Sequence, residues 1–306
     1  MARSTDWSAS PVTVITPATC ANLGPGFDSF GLALDLANEV VAEVVERGLQ
    51  VEVEGEGAAE LMLDESHLVV RAARATFDVL GGQPPGLRIS CRDRVPHARG
   101  LGSSAAAIAA GVVAARALVV GGGDLMSAAD ALRLAASLEG HADNVAAAVL
   151  GGVTVAWMTH AGARAVRLES HVGATVLVPQ EAVLTRSARS VLPSHVPHAD
   201  AAHNAARAGL LVAALTGRSD LLLDATEDRL HQEHRRSLLP RSLALVDRLR
   251  SAGHAAVVSG AGPSVLVLHP EHAPPDDQEP ELRVALATGW NRLPTKASPC
   301  GARVRA

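Results

Sequence analysis

A glycine-rich segment that leads into an alanine-rich helix is the sequence feature that most constrains this fold. Residues 96–107 read P-H-A-R-G-L-G-S-S-A-A-A, and a helical pattern continues to about Val119. Gly100 and Gly102 permit a tight turn, and the helix start presents unpaired backbone N–H groups and the positive end of its dipole. Such a junction binds phosphate or another anion. Because Lys296 is the only lysine, a lysine-based Walker loop and the β3 lysine of protein kinases are excluded.

The two serines of this segment admit two interpretations. The hydroxyl of Ser103 or Ser104 can reach a phosphate or Mg²⁺ at the helix start. Alternatively, Ser104 only caps the helix after a flexible turn. The segment alone is too short to decide between them.

Composition limits the class of partner. The chain of 306 residues carries a net charge of -5, which does not favour nucleic acid. No apolar run is long enough to span a bilayer, so we expect no membrane partner. The three cysteines are far apart and odd in number, which indicates a reducing compartment and predicts a cytoplasmic protein.

Strand and helix patterns mix without strict βαβ alternation, which predicts an α+β fold. Residues 17–28 are rich in turn formers, and the segment beyond His269 gives no firm signal. A change of character around Met158 to Ala163 predicts a boundary between domains of residues 1–160 and 161–306. The predicted strands are 12–15, 49–54, 87–91, 153–156, 174–178, 255–258 and 265–268, and the predicted helices are 66–80, 104–119, 127–139, 199–215, 221–230 and 240–252.

Glu139 stands in an unfavourable position for an ordinary helical residue. A capping box of Ser127 and Asp130 predicts the start of its helix, and Gly140 predicts the end. A carboxylate at the negative end of a helix dipole is mildly destabilising. Glu139 is therefore either kept for another task or simply exposed to solvent.

Four segments together resemble a known group of small-molecule kinases. Residues 96–107 are similar to the P-x-x-x-G-L-G-S-S-A signature of the GHMP kinases, which include galactokinase, homoserine kinase and mevalonate kinase. Residues 259–264 (S-G-A-G-P-S) resemble the C-terminal glycine motif of that superfamily. Residues 17–34 and 139–152 are similar to the homoserine kinase family in particular. The resemblance extends in patches from Val12 to Leu268.

The resemblance implies both a fold and a reaction. The N-terminal domain would be of the ribosomal-protein-S5-domain-2 type and carry the ATP phosphate loop, and the C-terminal domain would be ferredoxin-like. The implied activity transfers phosphate from ATP, with Mg²⁺, to the side-chain hydroxyl of L-homoserine, giving O-phospho-L-homoserine for threonine synthesis. Another GHMP-type small-molecule kinase and a non-catalytic ligand sensor on the same fold are the alternatives, and a homodimer stays open.

The resemblance also implies the nucleotide site. Ser104 and Glu139 match the family's Mg²⁺ ligands, and hard oxygen donors suit that ion. His67 stands where the family often has Asn at an adenine contact. The residues matching the phosphate loop are Pro96, Arg99, Gly100, Leu101, Gly102, Ser103, Ser104 and Ala105.

The substrate site is implied in the same way. Asn22 and Asp28 match residues near the substrate amino group, although both also suit a turn. Arg189 and Arg235 match the pair that clamps the carboxylate with planar donor forks. The full set matching the substrate site is Asn22, Asp28, His141, Asn144, Thr185, Arg189, Arg235 and Gly262.

The catalytic group implied by the resemblance contains no obligatory base. Asn144 would face the substrate hydroxyl where mevalonate kinase has an aspartate, so catalysis would rest on positioning and electrostatic stabilisation. Asp143 is the alternative base, and His141 or Asp143 could instead cap the helix that follows. The implied catalytic residues are Asn144, Arg189, Asp143 and His141.

Overall fold

The structure, a computed structural model, describes residues 6–293 and 295–305. Residues 1–5, 294 and 306, which include the outer ends of both predicted domains, lie outside the described residues. Two β-sheets dominate the described chain, and helices cover both of them. None of the helices in these two ranges combines the length and apolar character that a membrane span requires.

The first sheet has seven strands and is mostly antiparallel, with one parallel pair. Five strands run in the order β11-β1-β2-β4-β3, and β5 and β6 extend the sheet from the first half of β2. The strands are β1 (Val12–Ala21), β2 (Phe30–Val45), β3 (Gly48–Gly55), β4 (Gly86–Asp93), β5 (Val153–Thr159), β6 (Gly162–Leu168) and β11 (Arg303–Val304). The associated helices are α1 (Leu68–Leu80), α2 (Ser103–Leu118), α3 (Gly122–Leu125), α4 (Ala128–Glu139) and α5 (Asp143–Leu150).

The second sheet is antiparallel, with strand order β10-β7-β9-β8. In chain order these are the fourth, first, third and second strands, joined as β-α-β-β-α-β, which is the ferredoxin-like arrangement. The strands are β7 (Val172–Pro179), β8 (Ala255–Val258), β9 (Val265–Pro270) and β10 (Trp290–Leu293). The helices are α6 (Thr185–Ser190), α7 (His198–Thr216), α8 (Leu222–Ala225), α9 (Pro240–Ser251) and α10 (Pro280–Ala287). The predicted α+β class and ferredoxin-like domain are confirmed.

The change from one sheet to the other comes later than the predicted division after residue 160. That division falls in the turn between β5 and β6, whose residues pair from Val153↔Leu168 to Thr159↔Gly162. The last described residues also return to the first sheet, where Val304 pairs with Val14. The first sheet therefore takes residues from both sides of the predicted boundary, because the hairpin and β11 complete its edges.

Two local predictions are corrected by side-chain hydrogen bonds and strand pairing. Strand β1 continues to Ala21 through a register shift at Pro17, so the predicted turn occupies only its second half. The helix predicted at 221–230 ends at Ala225. The Thr226 hydroxyl donates to the Leu222 carbonyl at 2.8 Å, and Asp228 accepts the next free N–H groups, so the chain turns away. Strands β10 and β11 and helix α10 lie in the segment that gave no signal.

One hydrophobic cluster joins the two sheets. Leu32 and Val153 of the first sheet share a buried cluster with Val176 and Leu266 of the second, and Leu211 of α7 belongs to the same cluster. Burial of apolar side chains is the main stabilising contribution in such a core. The two sheets therefore share a common core.

Candidate active site

A cavity of about 460 Å³ is lined by residues from both halves of the chain. One wall is the glycine segment and the start of α2. A second wall is the turn between β1 and β2, and a third comes from α6 and the turn before β9. Large cavities with convergent polar groups are the usual place for a binding site.

The start of α2 is open to this cavity. Its N-cap is Gly102, in a left-handed conformation with φ 65°, and among the described residues no side chain caps the helix. The alternative in which Ser104 caps the helix is therefore wrong. A Cβ on Gly102 would lie 1.8 Å from Thr19 Oγ1, so only glycine fits. Ser103 and Ser104 occupy the first turn, where backbone N–H groups have no intrahelical acceptor.

The two glycine motifs form one structure. Ser259 Oγ donates to the Gly100 carbonyl at 2.6 Å, and the Ser264 N–H donates to the Arg99 carbonyl at 3.3 Å. A Cβ on Gly100 would lie 2.3 Å from the Ser259 carbonyl oxygen. The Arg99 guanidinium donates to the Pro179 carbonyl at 3.2 Å. These contacts fasten the phosphate loop to the second sheet.

Ser104 and Glu139 meet at the cavity wall. Ser104 Oγ donates to Glu139 Oε1 at 2.7 Å. Burial raises the pKa of Glu139, although the Ser104 hydrogen bond opposes that rise. Both predicted features of α4 are present, the Ser127 and Asp130 capping box and the left-handed Gly140 at its end. The end of α4 thus places the Glu139 carboxylate beside the start of α2.

These two oxygen donors fit a magnesium ion that is also held by other groups. Within residues 6–293 and 295–305, no three or more His, Cys, Asp or Glu side chains gather as a metal site. Mg²⁺ in nucleotide enzymes takes one or two protein oxygens and completes its shell with phosphate oxygens and water. The donor pair of Ser104 and Glu139 meets that requirement.

Asn144 is held in one orientation beside the phosphate loop. Its Oδ1 accepts the Thr19 hydroxyl at 2.8 Å, and its Nδ2 makes a long hydrogen bond of 3.5 Å to Asp143 Oδ1, which leaves one N–H of the amide available. Asp143 is 3% exposed and accepts the Asn144 N–H at 2.7 Å. Burial raises the pKa of Asp143 to about 6. The N-cap of α5 is Ala142, so neither His141 nor Asp143 is its N-cap residue, although Asp143 bonds one N–H of the first turn.

Asp28 and Arg189 form an ion pair across the cavity. Arg189 Nη1 donates to Asp28 Oδ2 at 3.1 Å, and Nη2 donates to Oδ1. Asn22 holds the turn in place, because its Oδ1 accepts the Asp28 N–H at 3.0 Å and its Nδ2 donates to the Gly260 carbonyl at 3.0 Å. Both ends of the Asn22 amide are thus engaged within the protein.

Arg235 is a buried cation that no carboxylate contacts among the described residues. It is 1% exposed and donates to the Ala188 and Gly260 carbonyls, each at 3.0 Å. Its Nη1 also lies 3.1 Å from His231 Nδ1. Since that nitrogen must accept, His231 is neutral, in agreement with a pKa lowered by burial. Burial lowers the pKa of Arg235 to about 10, so it stays charged at neutral pH.

Comparison with known proteins places this arrangement in a family. The "GHMP kinases N terminal domain" family model matches residues 67–152, and "GHMP kinases C terminal" matches residues 210–287. A homoserine kinase of Streptomyces avermitilis is 56% identical over 265 residues, covering 86% of this chain and 87% of that one. A homoserine kinase of Mycolicibacterium smegmatis is 49% identical over 266 residues, with 84% of each chain covered.

The chain belongs to the homoserine kinase family. A crystal structure of homoserine kinase from Cytophaga hutchinsonii has a TM-score of 0.84 and 26% identity, covering 98% of this chain and 99% of that one. A mevalonate kinase of L. major is 14% identical with a TM-score of 0.67, and this likeness shows the fold alone. The family and fold predicted from the four segments are confirmed.

Most of the site residues predicted from the sequence of this homoserine kinase family member line one cavity. Ala105 is fully buried behind the loop, and Gly262 is turned away from the cavity. The Gly262 N–H donates to the Ser259 carbonyl, and Gly260 and Ala261 reach the cavity instead. Those that line it are Asn22, Asp28, Pro96, Arg99, Gly100, Leu101, Gly102, Ser103, Ser104, Glu139, His141, Asp143, Asn144, Thr185, Arg189 and Arg235.

Several residues of the site were missed from sequence. Thr19 orients Asn144, and Phe27 stacks on His231 with ring centroids 5.0 Å apart. The signal for His231 was present, because Asp228, His231 and Arg235 follow one another at helical spacing, although the chain forms only a short turn there. Asp228 accepts the His231 N–H at 3.2 Å. No local pattern marks Thr19.

The end of the cavity beyond the phosphate loop is lined by His67 and by residues 60–62. His67 is 6% exposed, and its Nδ1 has no hydrogen-bond partner among the described residues. Burial lowers the pKa of His67, so a neutral ring faces this space. The position that often carries Asn in the family therefore places a buried, neutral imidazole at the cavity wall.

Proposed function

We propose that this protein transfers the γ-phosphoryl group of ATP to the side-chain hydroxyl of L-homoserine, forming O-phospho-L-homoserine and ADP. The observation that carries the proposal is a single cavity with an open helix start at one part and Asp28, Arg189 and Arg235 at another. The first suits a polyphosphate, and the second suits a small amino acid with both charges. A cytoplasmic location and a place in threonine synthesis go with this proposal.

The donor site is argued from the start of α2. The N–H groups of Ser103 and Ser104 and the helix dipole stabilise phosphate oxygens, and Gly102 lets the backbone approach them. Ser104 and Glu139 would hold the Mg²⁺ that accompanies ATP. When bound, that ion neutralises charge on the phosphates. Residues at the far end of the cavity, including His67, would contact the base.

The acceptor site is argued from charge. Arg189 and Arg235 present guanidinium groups that suit the α-carboxylate, and Asp28 presents a carboxylate for the ammonium group. A sugar or mevalonate offers no positive group for Asp28. The substrate charges would therefore fix which end of the molecule lies toward Asn144.

Asn144 would position the reacting hydroxyl. Its Nδ2 donates a hydrogen bond to the hydroxyl oxygen, which leaves that oxygen free to attack the γ-phosphorus. The bond from phosphorus to the bridging oxygen breaks, ADP leaves, and the hydroxyl proton passes to the transferred phosphate or to water. A loose transition state needs little proton removal early, so positioning and electrostatic stabilisation are the main contributions.

Asp143 is the rival base in this scheme. Its pKa of about 6 leaves it ionised at neutral pH. If Asp143→Asn abolished turnover without weakening substrate binding, while Asn144→Ala did not, the account without a base would be wrong.

A coupled assay of ADP release tests the function. The protein is supplied with Mg·ATP and L-homoserine, mevalonate, galactose or no acceptor, and turnover is expected with L-homoserine alone. Glu139→Gln should lower kcat by about 100-fold, because it removes the anionic ligand of the Mg²⁺ that would neutralise the transferring phosphate. Glu169→Gln, an exposed carboxylate, is the matched control and should have no effect. Turnover on another acceptor only, or on none, would contradict the proposal.

A further inference from the structure

The substrate end of the cavity contains an ion pair between residues that the proposed function assigns to opposite ends of the substrate. Arg189 contacts both carboxylate oxygens of Asp28. The two side chains keep 32% and 39% of their surface exposed, and both line the cavity. Arg189 comes from α6 in the second half of the chain, and Asp28 comes from the turn after β1. The pair therefore links two walls of the cavity.

We propose that substrate binding exchanges this ion pair. The α-carboxylate of the amino acid replaces Asp28 on Arg189, and the released Asp28 carboxylate pairs with the substrate ammonium group. This inference rests on the proposed function and deepens it, since it makes the Asp28–Arg189 pair a device that selects ligands carrying both charges.

The charges around the pair support an exchange. Arg235 is buried and donates only to two carbonyl oxygens and the neutral His231, and Asp143 is buried with no cation bonded to it among the described residues. With Asp28 and Arg189 added, this end of the cavity holds two cations and two carboxylates. A zwitterion leaves the net charge at this end of the cavity unchanged. Its carboxylate can pair with Arg189, and its ammonium group can pair with Asp28.

A ligand with only one charge cannot complete the exchange. A carboxylate without an ammonium group, such as 4-hydroxybutanoate, displaces Asp28 and leaves it unpaired. An amine without a carboxylate, such as 3-amino-1-propanol, leaves Arg189 unpaired. Removing the partner of a partly buried charge leaves that charge desolvated and unpaired. This costs more free energy than the loss of the contact itself. Replacing Asp28 should therefore improve binding of 4-hydroxybutanoate, and replacing Arg189 should improve binding of 3-amino-1-propanol.

Dissociation constants for the three ligands, from ligand-observed NMR titrations, test the exchange. Asp28→Asn should weaken L-homoserine by about tenfold or more, because a charged hydrogen bond is lost. The same variant should tighten 4-hydroxybutanoate by about threefold or more, as expected for release of a half-exposed ion pair. Arg189→Gln should tighten 3-amino-1-propanol by a similar factor. If Asp28→Asn leaves 4-hydroxybutanoate unchanged or weaker, the exchange is wrong.

Controls separate this inference from the proposed function. Arg186→Gln removes an exposed arginine of α6 that does not line the cavity, and it should change none of the three constants. Thermal unfolding curves establish that each variant is folded. Wild-type protein that phosphorylates L-homoserine, together with an Asp28→Asn variant that gains nothing, would overturn the exchange alone. Wild-type protein that neither binds nor phosphorylates L-homoserine would overturn both proposals.

Discussion

The charge of the buried Asp143 side chain affects the stability of the fold. It is a carboxylate that is 3% exposed, and its pKa rises from 3.8 to about 6 chiefly because of burial. An acid whose pKa is higher in the folded state binds its proton more tightly there than in the unfolded chain. Its charged form therefore destabilises the fold, fully above about pH 6 and not at all below about pH 4.

Asp143→Asn should stabilise the protein at neutral pH. At about 1.4 kcal/mol per pKa unit, the gain in the free energy of unfolding at pH 7.5 is at most about 3 kcal/mol, and it should vanish toward pH 4. Urea unfolding at the two pH values measures it. Asp224→Asn, at an exposed position, should change little at either pH. A variant that is equally stable or less stable at pH 7.5 would contradict this role.

Thr19 is a positioning residue for Asn144. Thr19→Val keeps the size of the side chain but removes the 2.8 Å donor to Asn144 Oδ1, so the amide can rotate. We expect kcat to fall by about 5- to 100-fold, the range for one lost buried hydrogen bond, with KM for ATP nearly unchanged. Thr19→Ser retains the hydroxyl and should rescue kcat. Equal losses in both variants would assign Thr19 a packing role only.

At the residue scale, the motifs predict which side chains gather better than they predict how those side chains contact one another. Ser104, Glu139 and Asn144 stand in two motifs, and all three line the cavity. The Asp28–Arg189 pair was not predicted, since 161 positions separate its partners. The burial of Arg235 is equally invisible, because nothing local distinguishes it from the arginines on the surface.

Helix α2 and the glycine that precedes it are the element to which we assign nucleotide binding. Its N-terminus is open because Gly102 takes a left-handed conformation and packs against Thr19. The sequence predicted this helix to within one residue at each end, since glycine before and an alanine-rich run after are strong local signals. Helix α8 is shorter than predicted because Thr226 and Asp228 bond backbone groups that a longer helix would use.

Gly102→Ala should weaken ATP binding by at least about tenfold. The added methyl group would displace the backbone at the start of α2, and the loss of one phosphate contact would reduce the binding free energy by about 1.4 kcal/mol or more. Its Cβ would lie 1.8 Å from Thr19 Oγ1. Gly121→Ala is the matched control, because Gly121 is also a left-handed N-cap but has nothing within 4 Å of an added Cβ. Both variants carry backbone strain of about 1–2 kcal/mol. Equal ATP affinities in titration calorimetry would show that crowding at residue 102 is unimportant.

At the scale of the whole molecule, two sheets share a core, and both halves of the chain line the cavity. Leu32 and Val153 meet Val176 and Leu266 in one cluster, and Ser259 fastens the phosphate loop to the second sheet. The sequence predicted the two domain types through resemblance, but it placed the boundary inside a hairpin. Pairing of β11 with β1 was out of reach, since two short segments almost 300 residues apart carry no mutual signal.

In the proposed reaction, the γ-phosphoryl group of ATP passes to the hydroxyl of L-homoserine within this cavity. Phosphorus NMR of a reaction containing the wild-type protein, Mg·ATP and L-homoserine tests it most directly. The γ-phosphate signal should disappear as ADP signals and one phosphomonoester signal grow in equal amounts, with coupling to the protons of the adjacent CH₂ group. Formation of inorganic phosphate alone, or ATP that persists unchanged, would contradict the account.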